Sequence, residues 1–162
     1  MKIVHHGLDE GTLKRFWSKV DKSESCWKWT AGKFTLGYGS FFISGSSWCA
    51  HRVSFMIDNG PIPEGVDIDH ICHNKACVKP AHLRAVTTKQ NMENRAGAQS
   101  TSKTGIRGVS KNRNRYFARV KHNGTEISGG SYATVEEAER AAVNLRNELF
   151  THNTMDRAPQ HR

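Results

Sequence analysis

A 29-residue segment, residues 67–95, concentrates side chains that can hold metal ions and move a proton. It contains an adjacent Asp69–His70 pair, a Cys-x4-Cys-x4-His series and, further along, Asn91. A histidine with a pKa near neutrality can take a proton from water, and carboxylate and amide oxygens suit a hard cation such as Mg²⁺ or Mn²⁺. Phosphodiester hydrolysis needs both functions. The segment therefore predicts a nuclease centre built from Asp69, His70 and Asn91.

The same segment predicts a second, structural metal. Cys72, Cys77 and His82 are evenly spaced across a loop, and thiolates with an imidazole are the ligands that tetrahedral Zn²⁺ prefers. The N-terminus lacks the apolar core of a signal peptide, so we expect a reducing, cytoplasmic location where clustered cysteines favour a metal over disulfides. The open alternative is that these thiols pack without a metal.

The predicted centre needs strands and a helix to position it. Residues 66–69 and 83–86 read as strands, and Thr87 with Gln90 is a capping-box signature for a helix to about Arg95 that carries Asn91 in its first turn. Neighbouring strand residues face opposite sides. Asp69 and His70 can therefore share a site only if the strand ends there and the backbone bends.

The upstream sequence predicts a helix over 9–20, strands over 26–32, 37–45 and 47–57, and a loop over 60–65. We expect four aromatic residues in the core: Trp27, Trp29, Phe41 and Phe42. His51 and Arg52 would reach a phosphate from a neighbouring strand, or alternatively form a structural pair within the sheet. Cys49 is expected as a small buried side chain.

Composition changes after a small, polar linker at 96–104. Strands are expected over 105–109, 115–121 and 125–132, with Asn123-Gly124 as a hairpin turn and a helix over 134–150. Alternation places the basic side chains of the middle strand and Phe117 on one face, which suits phosphate and base contacts. The candidate DNA-binding residues are Arg52, Arg107, Arg113, Arg115, Phe117, Arg119 and Lys121.

Bulk composition points to an anionic partner. The 162 residues include 24 Lys and Arg against 15 Asp and Glu, a net charge of +9, which favours nucleic acid because binding to phosphates releases counterions. No apolar run is long enough to span a bilayer, so no membrane partner is expected. Only 36% of residues are hydrophobic, so each of two small domains would have a thin core that a metal can staple.

The chain resembles the HNH, or ββα-metal, endonucleases, especially the branch common in phage-borne and homing-type enzymes. The resemblance covers about residues 10–95 and rests on Asp69–His70, Cys72–Leu83, Val86–Asn91 and, upstream, Cys26–Trp29, Gly37–Gly39, Ala50–Val53 and Gly60–Gly65. It implies that His70 is the general base and that Asp69 and Asn91 hold a catalytic Mg²⁺ or Mn²⁺. Products would carry 5′-phosphate and 3′-hydroxyl ends.

The resemblance also bears on the zinc ligands. Because a Cys-Trp element accompanies the other cysteines in that branch, it implies Cys26 as the fourth ligand, with Cys49 and His73 as rivals. His82 stands where the middle Asn of the family name usually lies. This departure leaves a catalytic role for His82 open and favours its role as a zinc ligand.

Residues 105–150 resemble the AP2 DNA-binding domain, a three-stranded sheet backed by a helix. The likeness rests on Gly105–Val109, Tyr116–Val120, Gly130–Ala138 and Ala141–Ala142. It implies that the sheet contacts the major groove of double-stranded DNA. Plant members carry further arginines and tryptophans, so base specificity does not transfer.

Together these patterns predict an α+β protein with a ββα-metal nuclease domain at 1–95, a linker at 96–104, an AP2-like domain at 105–152 that helps to choose the site, and a frayed tail at 153–162. A monomer would nick DNA, whereas a dimer would cut both strands. Two alternatives remain: a non-cleaving, zinc-stabilised DNA-binding regulator and a zinc-stabilised RNA-binding protein. No small-molecule cofactor is expected.

Overall fold

The structure is a computed structural model that describes residues 8–95 and 97–157. The chain divides into two compact units, residues 1–88 and 89–162. The functional domain limits given above stay predictions. Small antiparallel sheets and helices occur in both units, so the α+β class is confirmed. No helix in the described part of the chain is both long enough and apolar enough to cross a membrane.

The first unit begins with helix α1, Glu10–Trp17, which Asp9 caps by accepting a hydrogen bond from the backbone N–H of Thr12. The following elements are β1 (Val20–Asp21), β2 (Lys28–Trp29), β3 (Ser40–Ile43), β4 (Ser46–Cys49), α2 (Ala50–Asn59), β5 (Asp67–His70), a 3₁₀ turn (Pro80–His82) and β6 (Leu83–Val86). β1 pairs with β2, β3 with β4 and β5 with β6, all antiparallel.

The strand predicted over 47–57 is wrong beyond Cys49, because residues 50–59 form α2. Ala50, Val53, Ser54 and Ile57 are buried, and their spacing is that of one helix face rather than of a strand. The apolar residues of this short segment fit both the two-residue repeat of a strand and the 3.6-residue repeat of a helix. Packing against the first unit's core decides for the helix.

The core of the first unit is largely aromatic. Phe16 packs against Trp29 and Phe41, with ring centroids 5.1 Å apart in each case, and all three side chains are buried. Trp27 is half-buried. The expectation that Phe42 is a core residue is wrong: it is 57% exposed, because neighbours on a strand face opposite sides and Phe41 takes the inner one.

The second unit contains nearly all of α3 (Thr88–Glu93), then β7 (Val109–Asn112), β8 (Arg115–His122), β9 (Thr125–Tyr132), α4 (Val135–Leu149) and α5 (Thr154–Arg157). The three strands form an antiparallel sheet with β8 in the middle. Val109 and Ala118 of the sheet form a buried cluster with Ala138 and Ala142 of α4.

The hairpin turn and the helix cap predicted for this unit are confirmed. Asn123 and Gly124 both have positive φ, 50° and 82°, as a type I′ hairpin turn requires. Thr134 and Glu137 form both hydrogen bonds of a capping box at the start of α4. The strand expected over 105–109 is wrong in position, since β7 begins at Val109.

The prediction of a frayed tail is also wrong for residues 153–157, the part of that tail which the structure describes. Asp156 in α5 accepts hydrogen bonds from the Nε and Nη2 atoms of Arg146 at 2.6 and 2.9 Å. The Arg146 side chain is 5% exposed. A buried guanidinium needs a counter-charge, and residue 156 supplies it by folding back onto α4. Residues 158–162 of the predicted tail lie outside the described residues.

Candidate functional site

Asp69 and His70 form the end of β5, as the sequence predicted for the strand terminus. Both side chains are buried, with 8% and 6% of their surface exposed. Asp69 faces Arg84 across the β5–β6 pair, and its Oδ2 accepts hydrogen bonds from Nε and Nη2 of Arg84 at 2.9 and 2.8 Å. Sequence reasoning missed Arg84, whose partner follows only from the strand register.

The imidazole of His70 is held by a backbone carbonyl. Its Nε2 lies 3.0 Å from the carbonyl oxygen of Cys77. A carbonyl oxygen can only accept, so Nε2 carries the proton and the lone pair of the neutral ring is on Nδ1. Burial lowers the pKa of His70, and the hydrogen bond to Cys77 and the charge of Asp69 oppose that shift. The ring is therefore a neutral base at physiological pH.

His51 and Tyr38 surround His70. The ring centroids of His51 and His70 are 4.6 Å apart, and that of Tyr38 is 5.3 Å from His51 and 5.9 Å from His70. Burial, followed by the proximity of His70 and Arg52, lowers the pKa of His51 to about 3. A neutral ring supplies no charge to a phosphate, and contact of His51 with a phosphate stays a prediction.

Arg52 lies on α2 rather than on the expected neighbouring strand. Its Nη1 donates a hydrogen bond to the carbonyl oxygen of Val66 at 3.4 Å. The side chain is only half-buried. Its contact with a phosphate therefore stays a prediction.

Four further side chains converge in the first unit: Cys26, Cys72, Cys77 and His82. Their possible ligand atoms all lie within 4.8 Å of one another. Nδ1 of His82 is 3.6 Å from the Sγ atoms of both Cys26 and Cys77. Cys49 and His73, the rivals for the fourth position, are not in this cluster.

The geometry and chemistry of this Cys3His cluster fit a tetrahedral ion. Zinc bonds of ~2.3 Å to sulfur and ~2.05 Å to nitrogen imply a sulfur–nitrogen edge of ~3.6 Å, which the two measured distances match. Burial raises the pKa of Cys77 to about 12 and also raises that of Cys72. Ionised thiols at this place therefore need a cation. All four cysteines of the chain are free thiols.

Asn91 lies in α3 and belongs to the second unit. The end of this helix is fixed by side chains of the same unit. Arg107 donates hydrogen bonds to the carbonyl oxygens of Met92, Glu93 and Arg95 at 2.8–3.1 Å. The Glu93 carboxylate accepts from the backbone N–H and the hydroxyl of Thr151 at 2.9 and 3.1 Å.

The predicted DNA-contacting residues of this unit differ in their surroundings. Arg113 in the β7–β8 turn, and Arg115, Arg119 and Lys121 on β8, are exposed. Arg119 forms an ion pair with Glu126 at 3.0 Å and lies 5.7 Å from the ring of half-buried Phe117. Arg107 instead uses its guanidinium to hold the end of α3.

Comparison with known proteins identifies a family match in the middle of the chain. Residues 49–93 match the family model described as HNH endonuclease. This stretch includes Asp69, His70, Asn91 and three members of the Cys3His cluster. Residues 49–93 are therefore similar to the HNH endonucleases, as the resemblance indicated.

Three similar proteins come from viruses. An uncharacterized HNH endonuclease of Acanthamoeba polyphaga mimivirus is 32% identical over 134 residues, 83% of this chain and 66% of that protein. Protein 7.7 of Escherichia phage T7 is 37% identical over 70 residues, 43% of this chain and 54% of that protein. Protein 2.8 of the same phage is 36% identical over 87 residues, 52% and 56% of the two chains.

The chain thus spans between about half and two thirds of the length of these relatives. No solved structure matches it.

Proposed function

We propose that this chain is a metal-dependent endonuclease that hydrolyses phosphodiester bonds in DNA. The observation that carries the proposal is the HNH endonuclease match, which contains His70 at the end of β5. The orientation of His70 by the Cys77 carbonyl and the net charge of +9 support it further.

In this proposal His70 is the general base. Its Nδ1 removes a proton from the attacking water while Nε2–H stays bonded to the carbonyl oxygen of Cys77, which holds the ring in one orientation. The negative charge of Asp69 favours the imidazolium that forms, since it raises the pKa of His70. Products with 5′-phosphate and 3′-hydroxyl ends follow from the family resemblance.

We assign Asp69 and Asn91 as ligands of the catalytic cation. Their carboxylate and amide oxygens are the donors that Mg²⁺ and Mn²⁺ prefer. When bound, the cation would act as a Lewis acid toward the phosphate and the leaving 3′ oxygen. The assignment of Asn91 comes from the family resemblance. Asn91→Ala should therefore weaken Mn²⁺ binding and cleavage together.

We further assign the Cys3His cluster as a structural zinc site. The supporting observations are the 3.6 Å sulfur–nitrogen distances and the convergence of all four donors. Zinc would hold residues 26 and 72–82 of a unit whose sheets have only two strands each. Domains with small cores commonly depend on a structural metal ion of this kind.

The second unit is proposed as an AP2-like DNA-binding domain that helps to select the site. Its three-stranded sheet carries Arg115, Arg119 and Lys121 on the exposed side of β8, with Ala118 and Val120 buried on the other. Exposed arginine and lysine side chains suit phosphate and base contacts. We propose that the chain acts either as a monomer that nicks one strand of DNA or as a dimer that cuts both strands.

One observation favours a second candidate, a non-cleaving, zinc-stabilised DNA-binding regulator. The carboxylate of Asp69 is ion-paired with Arg84, so a catalytic cation has to share this carboxylate with a guanidinium. Mn²⁺ titration of the full chain, followed by electron paramagnetic resonance, separates the two candidates. Binding of a Mn²⁺ ion that Asp69→Ala abolishes supports the nuclease, whereas no such binding supports the regulator.

The direct test of the proposed activity uses supercoiled plasmid DNA and Mg²⁺. The parent chain should yield nicked or linear DNA, and His70→Ala should be at least ~100-fold slower, since loss of a general base typically costs that much. His152→Ala removes an imidazole from the other unit and should cleave like the parent. Equal rates for the parent and His70→Ala would refute the role of His70, and no cleavage by either would refute the function.

A further inference from the structure

The second unit contains a cavity of about 490 Å³ that the proposed nuclease chemistry does not use. Its lining comes from the end of α3, strand β8 and its turn, and the end of α4. Met92, Val120 and Phe150 provide apolar surface within it. The volume lies in the range of roughly 300–1,000 Å³ that is typical of small-ligand sites.

The rest of the lining is strongly basic. Six lysine and arginine side chains line the cavity against the single carboxylate of Glu93. Four of the six have protein partners: Arg107 with backbone carbonyls, Arg146 with Asp156, Arg119 with Glu126 and Lys89 with Glu93. The side chains of Arg95 and Lys121 make no hydrogen bond or ion pair with the residues that the structure describes. An excess of unneutralised positive charge therefore surrounds this space.

Three buried polar atoms on the cavity wall lack hydrogen-bond partners among the described residues. They are Nε of Arg95, Nδ1 of His122 and Oε1 of Glu93, and the last of these forms an ion pair with Nζ of Lys89 at 3.6 Å. A buried donor without an acceptor destabilises a protein, and the effect is larger when the donor is charged. An anionic ligand with several acceptor oxygens would relieve this cost at Arg95.

We propose that this cavity binds a nucleotide. Its phosphate would lie between Arg95 and Lys121, where charge-assisted hydrogen bonds suit phosphate oxygens. The base would contact the apolar surface of Met92 and Val120. The ligand class follows from the combination of apolar walls with unpartnered cations, and it does not depend on whether the chain cleaves DNA.

The test uses the full-length chain without added Mg²⁺ or Mn²⁺, so that no hydrolysis interferes. The Nε–H resonance of Arg95 in a ¹⁵N-labelled protein reports directly on the wall of the cavity. Thymidine 5′-monophosphate should shift this resonance in a saturable way. Thymidine and inorganic phosphate, each added alone, should bind at least ~10-fold more weakly, because each loses one half of the contacts. Equal affinity for phosphate and the nucleotide would overturn the proposal.

Two variants with the same loss of charge form the matched comparison. Arg95→Gln should weaken binding of the nucleotide at least ~10-fold, the equivalent of one lost charged hydrogen bond. Arg140→Ala removes an exposed cation on α4 that does not line the cavity and should bind like the parent. Binding to Arg95→Gln is followed by calorimetry, since the reporting atom is then lost. Unchanged affinity for Arg95→Gln would also overturn the proposal.

A third titration tests whether the bound nucleotide is free or is part of a polymer. A single-stranded ten-nucleotide DNA and the mononucleotide are titrated against the same resonance. Much tighter binding of the oligonucleotide, lost with Arg95→Gln, identifies a nucleotide of a polymer as the occupant. Equal affinity per site identifies a free nucleotide. Failure of either ligand to shift the resonance contradicts the site itself.

Discussion

Nε2 of His70 lies 3.0 Å from the carbonyl oxygen of Cys77, and Sγ of the same cysteine lies 3.6 Å from Nδ1 of His82. One residue therefore joins the proposed general base to the Cys3His cluster. The cysteine is fully buried, and its backbone N–H donates to the carbonyl oxygen of Asn74 at 3.0 Å. A metal at the cluster would thus orient the base as well as stabilise the fold.

Removal of zinc should abolish cleavage even when Mg²⁺ is in excess. Without the cation the Cys77 segment loses its anchor, so the carbonyl that orients His70 is no longer fixed. Cys26→Ala should have the same effect and should lower the melting temperature of the first unit. Zinc content by elemental analysis and thermal unfolding by circular dichroism measure both consequences.

Cys49→Ala is the matched control for the zinc prediction, because this thiol lies outside the cluster. It should retain one zinc per chain and the parent's activity. A Cys26→Ala protein with full zinc content and full activity would refute the assigned ligand set.

The pH dependence of cleavage should reflect the lowered pKa of His70. Burial favours the neutral ring, so the base stays unprotonated at pH values where an ordinary histidine with a pKa of 6.5 has gained its proton. We expect the acidic limb of the single-turnover rate to have its midpoint below pH 6.5. A midpoint at or above that value would contradict the buried environment as the active one.

His51 should make the first unit sensitive to acid. Its pKa is about 3 in the folded chain against an ordinary value of 6.5. Between these values the unfolded chain binds a proton that the folded chain does not, so stability falls as the pH decreases through that window. The loss amounts to at most ~1.4 kcal/mol per pH unit.

His51→Gln should flatten this dependence. The amide keeps a hydrogen-bond donor near the backbone of Ile68, with which His51 forms a hydrogen bond, but it does not titrate. Urea unfolding at pH 7.5 and 5.5, in excess zinc, measures the difference. Parallel losses of stability in the parent and the variant would show that another group is responsible.

Arg119 and Arg107 should respond differently to truncation. Arg119→Ala should weaken DNA binding and reduce the slope of log affinity against log salt by ~1, because an exposed cation is lost from β8. Arg107→Ala should instead destabilise the second unit by ~2 kcal/mol, because it removes three bonds to backbone carbonyls. Salt titration of fluorescence anisotropy and urea unfolding measure the two effects.

Arg140→Ala provides a charge-matched comparison for both variants. It should retain the parent's affinity within about twofold and the parent's stability. Equal affinity of Arg119→Ala and the parent at every salt concentration would count against the sheet as the DNA-binding face.

Local patterns were sufficient for the Asn123-Gly124 turn and the Thr134 cap. A type I′ turn requires positive φ at two successive residues, and Asn123 and Gly124 tolerate it. Thr134 and Glu137 can accept hydrogen bonds from backbone N–H groups at the start of a helix. These signals act over a few residues. They were therefore visible in the sequence without knowledge of what packs against them.

The sequence by itself determined the chemistry, because the donor types of Asp69, His70 and the Cys72–His82 series are fixed by composition and short spacing. Only the tertiary structure decided which distant groups meet them. The structure selects Cys26, 46 positions before Cys72, from the three candidates for the fourth ligand, and Arg84 reaches Asp69 through the β5–β6 register. Such contacts depend on how elements pair and pack, and burial then sets the protonation of His51 and His70. No local sequence pattern encodes the contacts between distant elements or the burial that results from them.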